Sequence, residues 1–464
     1  MADIVIKNGT YFNPDTKNMQ PGDIAIKNGQ IVAIEDVVKP GSASIVIDAT
    51  NKFVLPGFID LHVHLRDLAQ SYKETFLTGT KAAIHGGVTT VACMPNTKPP
   101  ITSKTTLLEY ITHARNKSYC NVAFFAGFPH SPIKLDELKA EGILGVKMYM
   151  ENGLEMQDWN DDRLLKASLQ ELYARDMLLL VHPGALHNRG KDRKDYQQYR
   201  KANLDWLEAH SLVHSPELEA SGLERILRIS AELSKENEIM KPRIHACHIS
   251  CGDALDVIKK WQEAEDNLLV TCEVTPHHLF LNKEVEFPEP SIAKVLQPLR
   301  DAKENKRLLE ALDSGYIDYI ASDHAPHSLE EKQGDFPTAM SGFPTLDIYA
   351  PLLLTMLSQK GFNLEKIISR CCESPARCAG MDRKGTLKVW QDADIILVKK
   401  VDPYSIDAAK FQSQSKVSPY AEIGMELEWA VTDVIVDGML QLEDGAFVGN
   451  PTSNPYLKKR ILLN

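Results

Sequence analysis

The middle of the chain alternates short apolar runs with stretches of helical periodicity, and this alternation limits the possible folds more than any other feature. Eight runs rich in β-branched residues recur, in the order FVLPGFIDLHVHL, GGVTTVACMPN, NVAFFAGF, GILGVKMYM, MLLLVHPG, RIHACHIS, LLVTCEVTPHH and YIDYIASDHAPH. Amphipathic stretches such as DDRLLKASLQELYARD and GDALDVIKKWQEAE lie between several of them. Strands that alternate with helices pair in parallel, so eight such units predict an α/β protein with a (β/α)8 TIM-type barrel over residues 57–385. An open doubly wound sheet would need a glycine-rich dinucleotide loop after its first strand, where this chain has DLHVHLRD.

Both ends of the chain show a different pattern, with short alternating strands and tight turns. DIVIKNG and GDIAIKNGQIVAIE near the N-terminus carry Asn-Gly pairs, and AVTDVIVDG and MLQLEDGAFVG near the C-terminus carry Asp-Gly pairs. These dipeptides are the strongest short hairpin signals. Because strand edges need partners and chain termini often lie close together, residues 1–56 and 386–464 are predicted to form one small β-sandwich domain.

The composition argues against several classes of protein. A formal net charge of −11 disfavours a nucleic-acid or anionic-membrane binder, since both need a basic surface. No apolar run approaches the ~20 residues that a membrane span needs. The eight cysteines form no CxxC pair, so neither a disulfide framework nor a zinc ribbon is predicted. The first residues, MADIVIKNGTYF, lack the charged and apolar regions of a signal peptide, and we therefore expect a cytoplasmic protein.

Polar residues close the apolar runs, at the end of the barrel that carries the chemistry in folds of this class. His62 and His64 are two positions apart on the first strand, so both imidazoles face one space. Later runs end in Asn96, Lys147, His182, His245, His248, Asp323, His324 and His327. A single histidine of this kind is usually structural, and we interpret His113, His187, His210 and His214 in that way. A whole set without partners would cost ~1–3 kcal/mol for each group, and a bound metal cluster removes that cost.

The residue types in this set predict a metal-dependent hydrolase. Neutral imidazoles and carboxylates are the ligands that zinc prefers, and protein ligands with room left for water are typical of a catalytic site. Lys147 does not fit such a set as an ammonium, because the cations would repel it. A lysine N-carboxylated by CO2 offers two anionic oxygens and can bridge two ions. We therefore expect two divalent metal ions, Zn²⁺ by the preference of these ligands, which make a shared hydroxide nucleophilic and polarise a carbonyl.

Six separated motifs resemble the dihydroorotases of the cyclic-amidohydrolase superfamily: HVHLRD, GGVTTVACMPNTKPP, GVKMYM, HACHIS, TCEVTPHH and ASDHAPHSLEEK. The resemblance covers most of the chain, including the two strand-rich ends. The ligands that it implies are His62, His64 and Asp323 on one metal, His182 and His248 on the other, and carboxylated Lys147 between them. By the same match His245 is a structural residue and not a ligand.

The resemblance also implies a substrate and a reaction. Arg66, Asn96 and His327 match the residues that grip the substrate carboxylate in dihydroorotases, and an arginine fork suits a carboxylate. The implied activity is reversible hydrolysis between (S)-dihydroorotate and N-carbamoyl-L-aspartate in de novo pyrimidine biosynthesis, with a metal-held hydroxide as nucleophile. Asp323 is the implied catalytic proton carrier. The implied assembly is a homodimer that acts on a small anionic cyclic amide.

Other interpretations remain open at this point. An allantoinase or a dihydropyrimidinase would use the same metals on a different ring, although TPHH and DHAPH favour dihydroorotase. A non-catalytic scaffold would be expected to lack metal ligands, and all of them are present in this sequence. Arg66 could instead form a surface ion pair with Asp67. The chain also differs from the usual dihydroorotase pattern at Leu68-Ala69, at Leu296-Gln297 and at the second residue after His182.

Overall fold

The computed structural model describes residues 2–41, 43–151, 153–184, 189–237, 240–264 and 267–451. The strands are β1 (Ile4–Asn13), β2 (Asn18–Lys27), β3 (Gln30–Glu35), β4 (Ile45–Asp48), β5 (Phe53–Pro56), β6 (Phe58–Val63), β7 (Val88–Cys93), β8 (Asn121–Phe124), β9 (Ala126–Gly127), β10 (Val146–Tyr149), β11 (Leu178–His182), β12 (Arg243–Ala246), β13 (Leu269–Val274), β14 (Tyr319–Ile320), β15 (Ile395–Ser405), β16 (Glu426–Val436), β17 (Met439–Glu443) and β18 (Ala446–Phe447). The α-helices are α1 (Phe76–His85), α2 (Lys104–Ala114), α3 (Pro132–Ala140), α4 (Asp162–Tyr173), α5 (Arg189–Lys201), α6 (Trp206–Val213), α7 (Pro216–Glu236), α8 (Gly252–Glu263), α9 (Pro276–Phe280), α10 (Ala302–Ser314), α11 (Leu329–Lys332), α12 (Tyr349–Gln359), α13 (Leu364–Ile368), α14 (Ser374–Ala379) and α15 (Pro419–Glu422).

Eight parallel strand positions form a closed barrel in the middle of the chain. β6, β7 and β8 pair in one group, and β9 to β14 pair in order in a second group. β8 and β9 are two parts of one strand that is interrupted at Phe125, whose N–H donates to the carbonyl of Cys93 at 3.0 Å. The barrel closes where Val63 pairs in parallel with His324, and the His64 N–H donates to the His324 carbonyl at 2.8 Å. The predicted fold class is confirmed.

The helices follow from the pattern of the sequence between the strands. The two amphipathic stretches quoted above form α4 and α8, and α8 buries Leu255, Ile258 and Trp261 at helical spacing. Asp161 caps α4, since its side chain accepts a hydrogen bond from the Arg163 N–H. The buried side of α8 packs against α7 and β13, which places helices around the barrel. Within the described ranges, none of the helices is long and apolar enough to cross a membrane.

Strands from both ends of the chain join in one nine-stranded sheet. Its order is β18-β17-β16-β15-β5-β1-β2-β3, and β4 pairs with β1. The two ends meet where β15 lies antiparallel to β5, with Ile395 opposite Pro56. Ile6, Ile24 and Leu397 are part of one apolar core that this sheet shares. The predicted limits of the unit, 1–56 and 386–464, stay predictions, and residues 452–464 lie outside the described chain.

Three of the four dipeptides quoted as turn signals form hairpin turns, and one does not. The turns are Asn28-Gly29, Asp437-Gly438 and Asp444-Gly445, and all six residues have positive φ, from 44° to 80°. Asn8 also has a positive φ of 61°, but it lies inside β1, where the register with β2 shifts between Ile6 and Gly9. A turn at Asn8 is therefore a wrong prediction. The dipeptide Asn8-Gly9 forms a bulge instead, because the Asp23 carboxylate accepts a hydrogen bond from the Asn8 N–H at 2.8 Å and β1 continues to pair with β2.

Candidate active site

A cavity of about 730 Å³ lies at the carboxyl ends of the barrel strands. The predicted residues that line it are His62, His64, Arg66, Asn96, His182, His248 and Asp323. Leu296 and the segment 337–342 form other parts of its wall. Lys147 and His327 do not line the cavity, and both are buried beside it. Strand ends that are far apart in the sequence therefore place most of the predicted set in one space.

His62, His64 and Asp323 form the first half of the site. His64 donates from Nδ1 to the Asn96 side-chain oxygen at 2.7 Å, and His62 donates from Nδ1 to Glu273. In these tautomers both Nε2 lone pairs face Asp323 Oδ1, at 3.5 Å from His62 and 3.1 Å from His64. Burial lowers the pKa of His64 to about 4, so that ring is neutral at pH 7. Three acceptors that face one another without a proton between them are suited to hold a cation.

His182, His248 and Lys147 form the second half. Nδ1 of His182 and Nε2 of His248 lie 2.9 Å apart, and the His248 ring centroid is 5.2 Å from that of His62. Burial lowers the pKa of His182 to about 3 and the pKa of His248 well below its usual value. These rings are therefore neutral at physiological pH, which is the state that the predicted metal ligation requires. The two halves lie close enough to act on one substrate.

The surroundings of Lys147 fit the expected carboxylated lysine and pair of cations. Its side chain is 1% exposed, and among the described residues Nζ has no hydrogen-bond partner. An ammonium left alone in such a place costs several kcal/mol of desolvation. A carbamate on Nζ would remove the positive charge and offer two oxygens to the ions. The identity of the metal and the carboxylation remain predictions.

Three residues of the site have left-handed backbone conformations that side chains rarely adopt. The φ angles are 55° at Arg66, 38° at His248 and 46° at Asp323. A residue of this kind costs ~1–3 kcal/mol, and such residues concentrate at functional sites because the surrounding structure holds them. The strained positions coincide with a predicted anion clamp and two predicted metal ligands.

Arg66 is buried without an acidic partner. Its side chain is 7% exposed, and within the described part of the chain no carboxylate oxygen lies within 4.0 Å of its guanidinium. The alternative of a surface ion pair with Asp67 is not supported, because the Asp67 carboxylate accepts from the N–H groups of Leu68 and Phe76. Arg66 therefore presents to the cavity a positive charge that forms no direct ion pair among the described residues.

His327 lies behind Arg66 and not at the cavity surface. Its Nε2 is 3.4 Å from Arg66 Nη2 and 3.1 Å from the carbonyl of Ser341, and its Nδ1 is 3.2 Å from Glu331. Burial, with the nearby charges of Arg66 and Lys73, lowers the pKa of His327. Its partners in this structure are thus protein groups, and direct contact with a substrate carboxylate remains a prediction.

Two residues of the site, buried Glu273 and half-buried Tyr149, were missed in the sequence. Glu273 on β13 accepts from His62, and Tyr149 at the end of β10 lines the cavity with its ring centroid 5.8 Å from that of His182. A lone glutamate in the apolar run LLVTCEV was an available signal. Of the histidines interpreted as structural, His210 and His214 both line the cavity, although the Nε2–H of His210 donates to the Val295 carbonyl at 2.7 Å. His187 lies outside the described residues.

The chain is similar to known proteins over nearly its whole length. It matches the model of the amidohydrolase family over residues 53–439. The dihydroorotase of Trichlorobacter lovleyi is 30% identical over 453 residues, which are 94% of this chain and 98% of the relative. The dihydroorotase of Methanosarcina acetivorans is 33% identical over 428 residues, 90% of this chain and 88% of the relative.

Solved structures show the same extent of similarity. L-hydantoinase (dihydropyrimidinase) from Arthrobacter aurescens superimposes with a TM-score of 0.85 at 29% identity, over 97% of this chain and 98% of that chain. Dihydropyrimidinase from Brevibacillus agri NCHU1002 superimposes with a TM-score of 0.86 at 26% identity, over 98% of both chains.

Proposed function

This chain belongs to the amidohydrolase family, and from that premise we propose that it is a dihydroorotase, which interconverts (S)-dihydroorotate and N-carbamoyl-L-aspartate. The observation that carries the proposal is Arg66, a buried guanidinium without an acidic partner among the described residues, beside a cluster of metal-type ligands. A buried charge without a partner is costly, and a carboxylate on the substrate supplies the partner. The similarity to curated dihydroorotases over nearly the full length also supports this activity.

The proposed site consists of metal ligands and of two residues, Arg66 and Asn96, that bind the substrate carboxylate. The residues that would hold the metals are His62, His64 and Asp323 for one ion, His182 and His248 for the other, and carboxylated Lys147 for both. When bound, two divalent cations lower the pKa of a shared water and polarise a carbonyl oxygen. Arg66 binds the ring carboxylate. Asn96 uses its oxygen to orient His64, and its Nδ2 serves as a second donor to that carboxylate.

Asp323 carries the proton in the proposed mechanism. Its pKa lies below the usual value although burial raises it, so the carboxylate is ionised at neutral pH. It accepts a proton from the attacking water and delivers it to the ring nitrogen as the amide bond breaks. In the cyclisation direction, the ureido nitrogen attacks the side-chain carboxyl carbon of N-carbamoyl-L-aspartate and gives its proton to Asp323. Asp323 passes that proton to the oxygen whose bond to the carbon breaks, and this oxygen leaves as water.

A comparison of substrates tests the proposal. Purified protein is assayed for ring opening of dihydroorotate, hydantoin, dihydrouracil and allantoin, and metal per chain is measured on the same sample. We expect turnover of dihydroorotate to exceed that of the three rings without a carboxylate. Turnover confined to any of those three would contradict the assignment while leaving the hydrolytic site in place.

A second candidate is a dihydropyrimidinase or hydantoinase, and Leu296 favours it. This apolar residue lines the cavity at a position where a polar contact with a pyrimidine ring would be expected in a dihydroorotase. The solved structures named above also carry hydantoinase or dihydropyrimidinase titles. The substrates of this class lack the carboxylate that Arg66 would bind, so the same comparison of rings separates the two candidates.

Replacement of Arg66 by lysine is expected to lower kcat/KM for dihydroorotate by about 10- to 100-fold, since charged hydrogen bonds contribute ~1.5–3 kcal/mol. Lysine keeps the charge but loses the two-pronged geometry. For dihydrouracil, the same ring without the carboxylate, kcat/KM should change little. Steady-state kinetics with both substrates measures the difference. Arg163→Lys, at a side chain that is 93% exposed, serves as the control. An equal loss of kcat/KM with both substrates would show that Arg66 does not bind the carboxylate.

The proposal includes zinc as the metal, pyrimidine biosynthesis as the pathway, a cytoplasmic location and a homodimer. All eight cysteines are free and seven of them are buried, which supports a reducing compartment. Zinc is supported by the imidazole-rich ligand set. The homodimer remains an expectation from the family resemblance.

A further inference from the structure

β13 contributes none of the predicted metal ligands, yet Glu273 on this strand contacts both halves of the site. Its side chain is completely buried in the barrel interior. Oε1 accepts a hydrogen bond from Nδ1 of His62 and another from the backbone N–H of His248, at 3.3 Å. The backbone carbonyl of Glu273 accepts from the N–H of Ile249 at 2.9 Å. One carboxylate therefore connects a ligand of the first proposed metal with a ligand of the second.

The two contacts of Oε1 set the tautomer of His62 and the backbone conformation of His248, and metal binding by these rings requires both. Acceptance from Nδ1 of His62 places the proton on that nitrogen and leaves the Nε2 lone pair directed at Asp323. A carboxylate in this position also raises the basicity of the ring as a ligand. At His248 the backbone has a φ of 38°, and the hydrogen bonds that the N–H groups of His248 and Ile249 donate to Glu273 hold the chain in this unfavourable conformation.

The second oxygen of Glu273 is held by His245. Oε2 lies 3.2 Å from Nε2 of His245, whose Nδ1 is 2.9 Å from the Thr271 hydroxyl. Tyr319 contacts the same histidine twice: its hydroxyl lies 2.9 Å from Nε2 of His245, and its ring stacks on the imidazole with centroids 4.9 Å apart and planes 3° apart. His245 is thus held by Thr271 at Nδ1 and by Glu273 and Tyr319 at Nε2, and its contact with Oε2 leaves Oε1 of Glu273 to His62 and His248.

We propose that Glu273 and His245 are positioning residues of the metal site, and that His245 acts only through Glu273. Glu273 sets the tautomer of His62 and the backbone of His248, so that the two ions are bound together. The inference rests on the proposed function, because it takes His62 and His248 as metal ligands. The competing explanation is that these residues form a buried polar core that stabilises the barrel without any effect on metal affinity.

Metal affinity distinguishes the two explanations. The full-length protein is titrated with Zn²⁺ against a chromophoric chelator, and thermal unfolding is recorded in parallel. Glu273→Gln keeps the shape but removes the negative charge and leaves one acceptor oxygen where His62 and His245 now have one each, and we expect Zn²⁺ affinity about 10- to 100-fold weaker. Asp23→Asn is the matched control, since this buried carboxylate accepts from the N–H groups of Asn8 and Val38 in the distant sheet. It should lower stability and leave Zn²⁺ affinity unchanged.

Variants of His245 test whether this residue affects metal binding only through Glu273. His245→Leu should weaken Zn²⁺ binding less than Glu273→Gln does, and His245→Gln, which places a donor near the position of Nε2, should restore much of the affinity. The double variant Glu273→Gln with His245→Leu should bind no more weakly than Glu273→Gln alone. Should the glutamine variant not fold, Glu273→Asp takes its place, because it keeps the charge but withdraws it from His62.

The outcomes separate this inference from the proposed function. Wild-type protein that binds no Zn²⁺ would overturn the metal site and the proposed function with it. Wild-type binding with unchanged affinity in Glu273→Gln, whatever its stability, would overturn only the positioning role. Additive losses in the double variant would overturn the claim that His245 acts through Glu273.

Discussion

Replacement of Lys147 by alanine is expected to abolish metal binding and ring opening together, with a loss of activity of ~10³-fold or more. The side chain is buried on the strand that pairs with the one ending in His182, and Nζ has no hydrogen-bond partner among the described residues. If the carbamate of Lys147 is the anionic ligand that both cations share, the alanine variant lacks this ligand. The cations would then be bound weakly and could not activate the attacking water. Metal content by elemental analysis and ring-opening assays measure both losses.

Two further measurements make the Lys147 prediction specific. Acetate or propionate at millimolar concentration should restore part of the activity and of the bound metal, because a small carboxylate can occupy the place of the carbamate. Lys332→Ala is the matched control, since this lysine is also fully buried but its Nζ donates to the Met340 carbonyl at 2.9 Å. That variant should keep its metal. Unchanged metal content in Lys147→Ala would rule out the bridge.

Replacement of Asp323 by asparagine is expected to lower kcat by ~10²–10⁴-fold, the usual contribution of a positioned acid–base group. The amide oxygen can still face His62 and His64, so metal affinity should fall much less than kcat. An amide cannot accept the proton of the attacking water and return it to the leaving nitrogen. Single-turnover kinetics on metal-loaded protein measures the chemical step, and chelator titration measures affinity.

A buried aspartate outside the cavity provides the control for Asp323. Asp347 is 1% exposed, and its carboxylate accepts from the N–H groups of Gln412 and Ser413. Asp347→Asn should reduce thermal stability without reducing kcat of the folded fraction. Wild-type kcat in Asp323→Asn would remove this residue from the proton transfer, and a loss of metal equal to the loss of kcat would limit it to a ligand.

The sequence predicted the barrel and seven of the residues that line the cavity, because both depend on short-range patterns. Alternation of apolar runs and amphipathic stretches predicts parallel strands with helices between them, and the carboxyl ends of such strands meet at one rim. His62 and His64 share a face because they are two apart on a strand. Because the strand ends meet at one rim, the sequence also assigns the residues that close later runs, such as His182 and His248, to the same space.

The hairpin at Asn8 shows where short-range patterns fail. The dipeptide Asn-Gly carries the same local preference at residues 8 and 28, and both asparagines adopt positive φ. Only the second forms a turn, because the strand after Asn8 continues to pair with β2 and Asp23 binds the Asn8 N–H. Local propensity thus determined the positive φ, and pairing with β2 determined whether that φ gives a hairpin turn or a bulge.

Interactions across the fold decided the remaining features of the site. Arg66 forms no ion pair with a carboxylate among the described residues, His327 lies behind it, and Glu273 connects His62 with His248. Residues 62 and 273 are 211 positions apart, so no window of the sequence contains their hydrogen bond. The sequence by itself determined which strands form and which side chains lie at their ends, since these depend on periodicity. Only the closed barrel decided which of these side chains have partners, because burial and hydrogen bonding depend on neighbours that the chain brings together by folding.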